Sequence, residues 1–265
     1  VPVALDPAAL VAREPDWARL LDLFTELEFR SLVQQLSARV TESPSTEAPG
    51  TAYVVADTPQ AVEDAVRRVR EAGIVALDCE TTSIEPMRAD LVGLSLAVGP
   101  GEAWYLPFGH YTGGDMLEMA EVLNLPAIDD PALAPLRSVL ADASVEKVGH
   151  NIKFDWMVLQ RAGVVVAGVA FDSMIASFMA DPGRRSHALD ELAAEHFGVR
   201  MRTYQDVVGR GKAERPFATV PVREAAEYCC ADSDFSLRLR GALEPTLREH
   251  KLEPLFRDVE MPLIA

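Results

Sequence analysis

The chain has 265 residues, a formal net charge of −16 at pH 7, 49% hydrophobic residues and 25% charged residues. These values are typical of a globular protein with one or two domains. The strong negative charge argues against a broad nucleic-acid-binding surface, because such surfaces are normally basic. A nucleic-acid function must therefore be argued against this charge.

Targeting signals and disulfides are not predicted. No apolar run approaches the ~20 residues that a membrane span needs. Residues 1–6 (V-P-V-A-L-D) lack the basic start and apolar stretch of a signal peptide. The three cysteines, Cys79, Cys229 and Cys230, do not make a disulfide framework. We therefore expect a cytoplasmic protein with no membrane partner.

Residues 1–40 predict a helical segment, and a linker is predicted after it. Apolar residues recur at helical spacing over residues 20–36. Residues 41–50 (T-E-S-P-S-T-E-A-P-G) have the composition of a linker. The helical segment is too short to bury its own core, so we expect it to pack on another part of a protein.

Residues 51–245 predict a mixture of strands and helices. Thr58 and Pro59 begin a helix that Gly73 ends, and a buried strand follows at 74–78. Further strands are predicted at 91–98, 103–106, 145–149 and 169–171. Further helices are predicted at 131–141, 152–162, 172–180, 188–196 and 221–243. The turn at 99–101 makes the first three strands an antiparallel meander. This order predicts an α/β fold with a mixed five-stranded sheet and helices on its faces.

Two carboxylates end the buried strand at 74–78. Side chains alternate along a strand, so Asp78 and Glu80 share one face and Cys79 is a small buried thiol on the other. Neighbouring buried carboxylates repel each other unless a cation lies between them. A divalent cation such as Mg²⁺ prefers these oxygens. Alternatively, one acid caps the next segment and the other is solvated.

A second pair of polar residues begins the helix at 152–162. Asn151 and Asp155 are four residues apart and therefore lie on one helical face. As alternatives, Asn151 is a helix cap and Asp155 is a solvated acid that favours the helix dipole. Asp172 is expected to cap the helix that follows it.

A third pair lies inside the long helix at 221–243. Tyr228 and Asp232 are also four residues apart and share a face. The alternative is a half-buried tyrosine whose hydroxyl is in water, with Asp232 at the surface. Asp234 is expected at the surface as well.

The order D-x-E, N-x-x-x-D and Y-x-x-x-D resembles that of the DnaQ-like, or DEDD, 3′–5′ exonucleases, in the subclass with a tyrosine before the last aspartate. Several runs closely resemble the proofreading domain of bacterial DNA polymerase I: D-C-E-T-T-S-I-E-P, K-V-G-H-N-I-K-F-D, F-D-S-M-I-A-S-F-M, L-D-E-L-A-A-E-H-F-G, G-R-G-K and E-A-A-E-Y-C-C-A-D-S-D. The resemblance covers about residues 50–245 and implies a ribonuclease H-like fold.

The flanking segments also resemble parts of that polymerase family. Residues 22–32 resemble the end of its 5′-nuclease region, and residues 255–263 resemble the start of its polymerase domain. The resemblance implies three parts: a helical remnant of the 5′-nuclease region plus linker at 1–50, a 3′–5′ exonuclease domain at 51–245, and the start of a connection to a polymerase domain at 246–265. That polymerase domain would normally be on the same chain.

The resemblance implies a two-metal hydrolysis of the terminal phosphodiester at a single-stranded DNA 3′ end. Asp78, Glu80 and Asp232 would hold the first metal ion. Asp78 would also bridge to a second ion, which Asp155 supports through water, and Tyr228 would orient the attacking water. The ions would be Mg²⁺ or Mn²⁺, with Zn²⁺ an alternative at one site.

Other positions match those that contact DNA in the family. The expected contacts to bases and to the terminal nucleotide are Thr81, Ile84, Asn151, Phe154 and Tyr204. The expected contacts to the DNA backbone are Arg210, Lys212 and Arg215, and the alternative is a solvated basic loop. The family pattern predicts an arginine beside His187, where this chain has Ser186. Arg184 or Arg185 could substitute for it.

Two other functions are considered. A non-catalytic scaffold module would have lost some of the four acids or the tyrosine, which are all present here. A ribonuclease D-like enzyme that trims RNA has the same acids, but the polymerase-like flanks argue against it. We expect a monomeric exonuclease with weak, salt-sensitive DNA binding and modest activity.

Overall fold

The computed structural model of the protein describes residues 15–27, 29, 32, 51–112 and 122–264. The chain divides into two compact units, Val1–Ala48 and Pro49–Ala265. In the first unit, helix α1 spans Trp17–Glu26 and overlaps the predicted helical segment. Apart from residues 15, 16, 27, 29 and 32, the rest of that segment and the predicted linker at 41–50 lie outside the described residues.

The second unit is built on a mixed six-stranded sheet in the order β1-β4-β3-β2-β5-β6. The strands are β1 (Ala52–Val55), β2 (Ile74–Thr81), β3 (Leu91–Gly99), β4 (Glu102–Pro107), β5 (Glu146–Gly149) and β6 (Val169–Asp172). Strands β2, β3 and β4 form the predicted antiparallel meander, and the other pairs are parallel.

The predicted α/β class is confirmed, but the strand count of five was wrong. The additional strand is β1, an edge strand that pairs in parallel with β4. It has only four residues, and its burial alternates between exposed and half-buried. A short half-exposed strand has no continuous apolar run, so the pattern used for the other strands missed it.

The helices of the second unit are α2 (Pro59–Ala72), α3 (Ala134–Leu140), α4 (Ile152–Arg161), α5 (Ser173–Ala180), α6 (Leu189–Phe197), α7 (Tyr204–Val208) and α8 (Val222–Glu249). Shorter helical turns are Pro131–Leu133, Gly211–Ala213, Phe217–Thr219, Glu253–Leu255, Phe256–Glu260 and Met261–Ile264. Helix α8 continues past its predicted end at Leu243. It passes through Pro245 because Leu243 and Leu247 are both buried and extend its packed stripe.

Helix α2 begins and ends as the sequence predicted. The Thr58 side chain accepts a hydrogen bond from the Ala61 backbone N–H at 3.2 Å, and Gly73 adopts a left-handed conformation with φ 68°. Glycine allows this conformation without steric cost. Strand β2 follows directly and is thereby placed between β3 and β5.

Strand β2 is buried, and helices α4 and α8 both pack against it. Val75, Ala76 and Leu77 are completely buried or nearly so. Helix α8 packs against β2, β3 and β4, and α4 packs against β2. The acids at the end of β2 therefore lie beside the polar residues of both helices.

Asp234 is buried, so its predicted surface position was wrong. Its Oδ2 accepts hydrogen bonds from the Tyr53 hydroxyl at 2.8 Å and the Gly101 backbone N–H at 2.9 Å. Arg238 adds two more at 2.7 Å. Asp234 therefore links α8 to the edge strand and to the turn before β4. The prediction used only the residues near Asp234 in sequence, so it could not anticipate partners that are distant in sequence.

All three cysteines are free and buried.

Among the helices of the described residues, none is both long enough and apolar enough to cross a membrane.

Candidate active site

Three acids form a cluster at the end of β2. Strand alternation places Asp78 and Glu80 on the same face, opposite Ser95 and Gly93 of β3. Helix α8 brings Asp232 to them. One carboxylate oxygen from each of Asp78, Glu80 and Asp232 lies within 4.8 Å of the others. This spacing allows all three to bind one metal ion.

The cluster is electrostatically unfavourable without a cation. Burial raises the pKa of Asp78 to about 7. Burial and then the charge of Asp78 raise the pKa values of both Glu80 and Asp232 well above their usual range. Among the described residues, Asp78 Oδ2 is buried without a hydrogen-bond partner. A buried unpartnered carboxylate oxygen beside two further acids fits a hard divalent cation such as Mg²⁺.

One neutral donor also contacts the cluster. The Cys229 thiol lies 3.6 Å from Glu80 Oε1 and donates a weak hydrogen bond to it. The Ser95 hydroxyl donates to the Cys229 carbonyl oxygen at 2.8 Å, which links α8 to β3 at this point. A thiol can partly stabilise the Glu80 carboxylate, but it cannot balance the charge of three acids.

Asp155 lies against the same strand. It is 3% exposed, and its Oδ1 accepts a hydrogen bond from the Cys79 backbone N–H at 2.8 Å. Cys79 is the residue between Asp78 and Glu80, so the fourth acid reaches the cluster from α4. Burial and the charge of Asp78 raise the pKa of Asp155 well above its usual range. The structure thus places Asp155 in the site and not in solvent.

Asn151 precedes α4 and is exposed. It adopts a left-handed conformation, φ 60° and ψ 42°, and in the described structure its side chain makes no capping hydrogen bond. The capping role considered for the Asn151 side chain is therefore not observed. Asp172 caps α5 as predicted, since its Oδ1 accepts from the Met174 and Ile175 backbone N–H groups at 2.9 and 3.0 Å.

Tyr228 lies one helical turn before Asp232 and is half-buried. Burial, and then the charges of Asp232 and Glu80, raise the pKa of Tyr228 far above its usual range. The phenol is therefore protonated.

An aromatic row connects Tyr228 to the surface. The Tyr204 ring stacks on Phe217 with centroids 6.0 Å apart and an interplanar angle of 14°. The Phe217 ring lies 6.1 Å from that of Tyr228 at a tilt of 52°. Phe217 is 2% exposed, whereas Tyr204 is 44% exposed. Sequence reasoning missed Phe217, because a single apolar residue after a proline carries no recognisable pattern.

The loop after β2 is held by an arginine that sequence reasoning also missed. Arg161, at the end of α4, donates to the Met87 carbonyl at 2.7 Å, the Ala89 carbonyl at 3.2 Å and the Asp90 carboxylate at 3.2 Å. The loop carries Ile84, which is 91% exposed. The fork geometry of the guanidinium suits it to bind several acceptors of one loop.

The other expected DNA contacts are in varied environments. The Thr81 hydroxyl donates to the Ser83 carbonyl at 2.8 Å, and Phe154 is partly buried against the core. Arg210 is exposed and 3.7 Å from Asp206. Arg215 is bound to the Val207 carbonyl at 3.0 Å and to Glu224 at 3.2 Å. The Lys212 side chain lies outside the described residues.

The histidine segment differs from the predicted clamp. The His187 Nδ1 hydrogen-bonds to the Ser177 hydroxyl at 2.9 Å, and its ring contacts Phe178. The side chain of Arg184 is largely buried and pairs with Glu195. Arg185 is exposed. Of the two arginines considered as substitutes, Arg184 is thus already engaged.

An acid cluster at the end of a central strand in a mixed sheet is the arrangement expected of a metal-dependent nuclease with a ribonuclease H-like fold. The chain also matches the family described as 3′-5′ exonuclease over residues 53–248. It therefore belongs to that 3′–5′ exonuclease family, and its members are phosphodiester hydrolases. The predictions of family, fold class and enzyme class are thereby confirmed.

The curated relatives include DNA polymerase I sequences. That of Pseudomonas aeruginosa is 34% identical over 95% of this chain and 28% of its own length. That of Chloroflexus aurantiacus is 36% identical over all of this chain and 30% of its own length. The chain thus spans less than a third of these relatives.

Solved structures share the fold. Escherichia coli RNase D superposes with a TM-score of 0.58 at 20% identity, covering 81% of this chain and 50% of its own. A structure described as the POL domain of Pol1 from M. smegmatis, in complex with DNA primer-template and dNTP, superposes with a TM-score of 0.56 at 20% identity. It covers 75% of this chain and 29% of its own. At these identities the comparison shows the fold alone.

Proposed function

We propose that this chain removes nucleotides one at a time from the 3′ end of single-stranded or frayed DNA. The observation that carries the proposal is the cluster of Asp78, Glu80 and Asp232 within 4.8 Å, with Asp78 Oδ2 buried and unpartnered among the described residues. A scaffold module that does no chemistry has no need for such a cluster, since bare buried carboxylates cost stability.

Two divalent ions would be held by the acids of the site. Asp78, Glu80 and Asp232 would hold one, and Asp155 would support a second that shares Asp78. When bound, such ions lower the pKa of water and neutralise charge on the phosphodiester oxygens. The carboxylate donors favour Mg²⁺ or Mn²⁺, and Zn²⁺ at one position is the alternative.

Tyr228 is proposed to orient the attacking water. Its hydroxyl lies on the same helical face as Asp232 and can donate a hydrogen bond to water or accept one from it. The raised pKa of Tyr228 keeps it neutral, which adds no charge next to the phosphodiester. Loss of one positioned proton-handling group costs a factor of about 10²–10⁴ in rate.

The terminal nucleotides would lie on exposed apolar and aromatic side chains. Ile84 and Tyr204 are exposed enough to stack with bases, and each base contact is worth about 1–3 kcal/mol. Asn151 and Thr81 are proposed to contact the terminal nucleotide, and Phe154 and His187 to line its path. Arg210, with Lys212, is proposed to contact the DNA backbone. The net charge of −16 supports weak and salt-sensitive binding.

The wider organisation is a proposal from the relatives. We infer three parts, residues 1–50 from a 5′-nuclease region plus linker, 51–245 as the exonuclease domain and 246–265 as a connection to a polymerase domain. The relatives' name, DNA polymerase I, supports a polymerase domain as the normal partner on the same chain. A monomer in the cytoplasm remains the expected state.

Digestion of 5′-labelled oligonucleotides tests the proposal. Single-stranded DNA and RNA of the same sequence would be incubated with Mg²⁺ or Mn²⁺, beside Asp78→Ala and Asp130→Ala variants. We expect a ladder of single-nucleotide steps on DNA for the wild type and Asp130→Ala, and none for Asp78→Ala or with EDTA. Preferential digestion of RNA would instead support the ribonuclease D-like alternative.

A further inference from the structure

Helix α4 carries Asp155 but begins without a capping side chain of its own. Asn151 occupies the cap position in a left-handed conformation, and in the described structure its side chain bonds no backbone N–H of the helix. The first N–H groups of a helix have no partner within the helix. Since Ile152 is completely buried, water is not the natural partner for them here.

Asp172, at the end of β6, supplies the missing partner. Its Oδ2 accepts a hydrogen bond from the Ile152 backbone N–H at 2.8 Å. Its Oδ1 accepts from the Met174 and Ile175 backbone N–H groups. One carboxylate, 1% exposed, thus caps two helices at once.

A second set of bonds ties the same two turns together. The Ser173 hydroxyl donates to the Gly149 carbonyl at 3.1 Å and contacts His150 Nδ1 at 2.8 Å. Gly149 and Asp172 are partners in the parallel pairing of β5 and β6. The start of α4 is therefore held by residues at the end of β6 and not by a capping side chain from its own segment.

We propose that Asp172 is a positioning residue of the exonuclease site. By capping α4 from β6, it fixes the turn that places Asp155 on the Cys79 backbone, and it leaves the Asn151 side chain free for the substrate. The inference rests on the proposed function of Asn151 and Asp155. It goes beyond the capping of α5 that the sequence predicted.

Two substitutions separate the two caps. In Asp172→Ser, a short hydroxyl can still cap α5 but cannot reach Ile152. In Asp172→Asn, one oxygen becomes an NH₂ group, which cannot accept a hydrogen bond from a backbone N–H. The oxygen is expected to keep the two bonds to α5 and to leave Ile152 without an acceptor.

Two control variants match these changes. Thr58→Ala removes the cap of α2, which contains none of the proposed site residues, and so reproduces a loss of stability. Asp130→Asn makes the same chemical change at a half-buried acid that caps the turn Pro131–Leu133. Neither control alters the start of α4.

Three measurements on the full chain test the inference. Hydrogen exchange of the Ile152 amide should be about tenfold faster or more in both Asp172 variants, because the bond that protects it is lost. The rise in Tm caused by Mg²⁺ should be smaller than in either control. The kcat/KM on single-stranded DNA should fall by about 10²-fold, since small misplacements of positioned groups have effects of this size.

The outcomes distinguish positioning from a structural role. If the Asp172 variants lose no more activity and no more Mg²⁺ response than Thr58→Ala of similar Tm, the inference is overturned. Unchanged exchange at Ile152 also overturns it. If the wild type itself digests no DNA, the proposed function fails, whereas the exchange and Mg²⁺ measurements still decide the role of Asp172.

Discussion

Replacement of Asp78 by asparagine should stabilise the metal-free protein while it abolishes activity. Burial raises the pKa of Asp78 from 3.8 to about 7. Each unit of pKa corresponds to about 1.4 kcal/mol, so ionising this buried acid at pH 8 costs up to about 4 kcal/mol. The introduced asparagine carries no charge and can donate to the neighbouring carboxylates. We expect a net gain of about 1–4 kcal/mol, with about 2–4 °C in Tm for each kcal/mol.

The same shift predicts how stability depends on pH. A folded-state pKa above the unfolded one means that the folded protein binds the extra proton between about pH 4 and pH 7, so the stability contribution is lost as pH rises through this window. With a folded pKa of about 7, this one group lowers the free energy of unfolding by about 1.4 kcal/mol between pH 6 and pH 8. Mg²⁺ should restore stability at pH 8 in the wild type but not in Asp78→Asn.

Thermal unfolding followed by circular dichroism would measure these effects in EDTA and in Mg²⁺, at pH 6 and pH 8. Asp130→Asn, which changes an acid outside the cluster and keeps its capping oxygen, is the control and should behave as the wild type. The reasoning is refuted if Asp78→Asn is less stable than the wild type in EDTA at pH 8. It is also refuted if Mg²⁺ stabilises both proteins equally.

Substitutions at four further residues test individual contacts. Tyr228→Phe should lower kcat by about 10²–10⁴ with little change in KM, because only the hydroxyl at the reacting water is lost; an unchanged kcat would exclude this role. Arg161→Ala should raise KM for DNA and leave kcat nearly unchanged, and Arg161→Lys should restore only part of the loss because it lacks the fork. Phe217→Leu should weaken DNA stacking on Tyr204, measured by quenching of a fluorescent base at the 3′ end. Tyr53→Phe should cost about 1–3 kcal/mol in urea unfolding, since it removes a donor to the buried Asp234, and should leave activity per folded molecule unchanged.

Local patterns predicted the parts of the fold that local physics determines. The boundaries of α2 follow from Thr58 and Gly73, and the buried strand β2 follows from its apolar run. Strand β1 was missed because its four residues, alternately exposed and half-buried, carry no continuous apolar run, and the strand is defined by its pairing with β4. Asp234 was placed at the surface because its partners, Tyr53 and Gly101, are far away in sequence.

The residues of the candidate site also differ in whether a local sequence pattern could predict them. Asp78 and Glu80 are predicted by strand alternation, and Asp155 and Asp232 by helical spacing together with the family resemblance. The residues that support them could not be predicted from a local pattern. Phe217 and Arg161 act through contacts to other segments, and the second capping role of Asp172 exists only because β5 and β6 lie side by side.

The central claim is that Asp78, Glu80 and Asp232 hold a divalent ion. A crystal structure of the wild type grown with Mn²⁺, measured at a wavelength where manganese scatters anomalously, tests it directly. We predict an anomalous peak between these three carboxylates at metal–oxygen distances of about 2.0–2.2 Å, and its loss in Asp78→Asn. An empty cluster in the presence of Mn²⁺, or a peak only at other acids, would contradict the account.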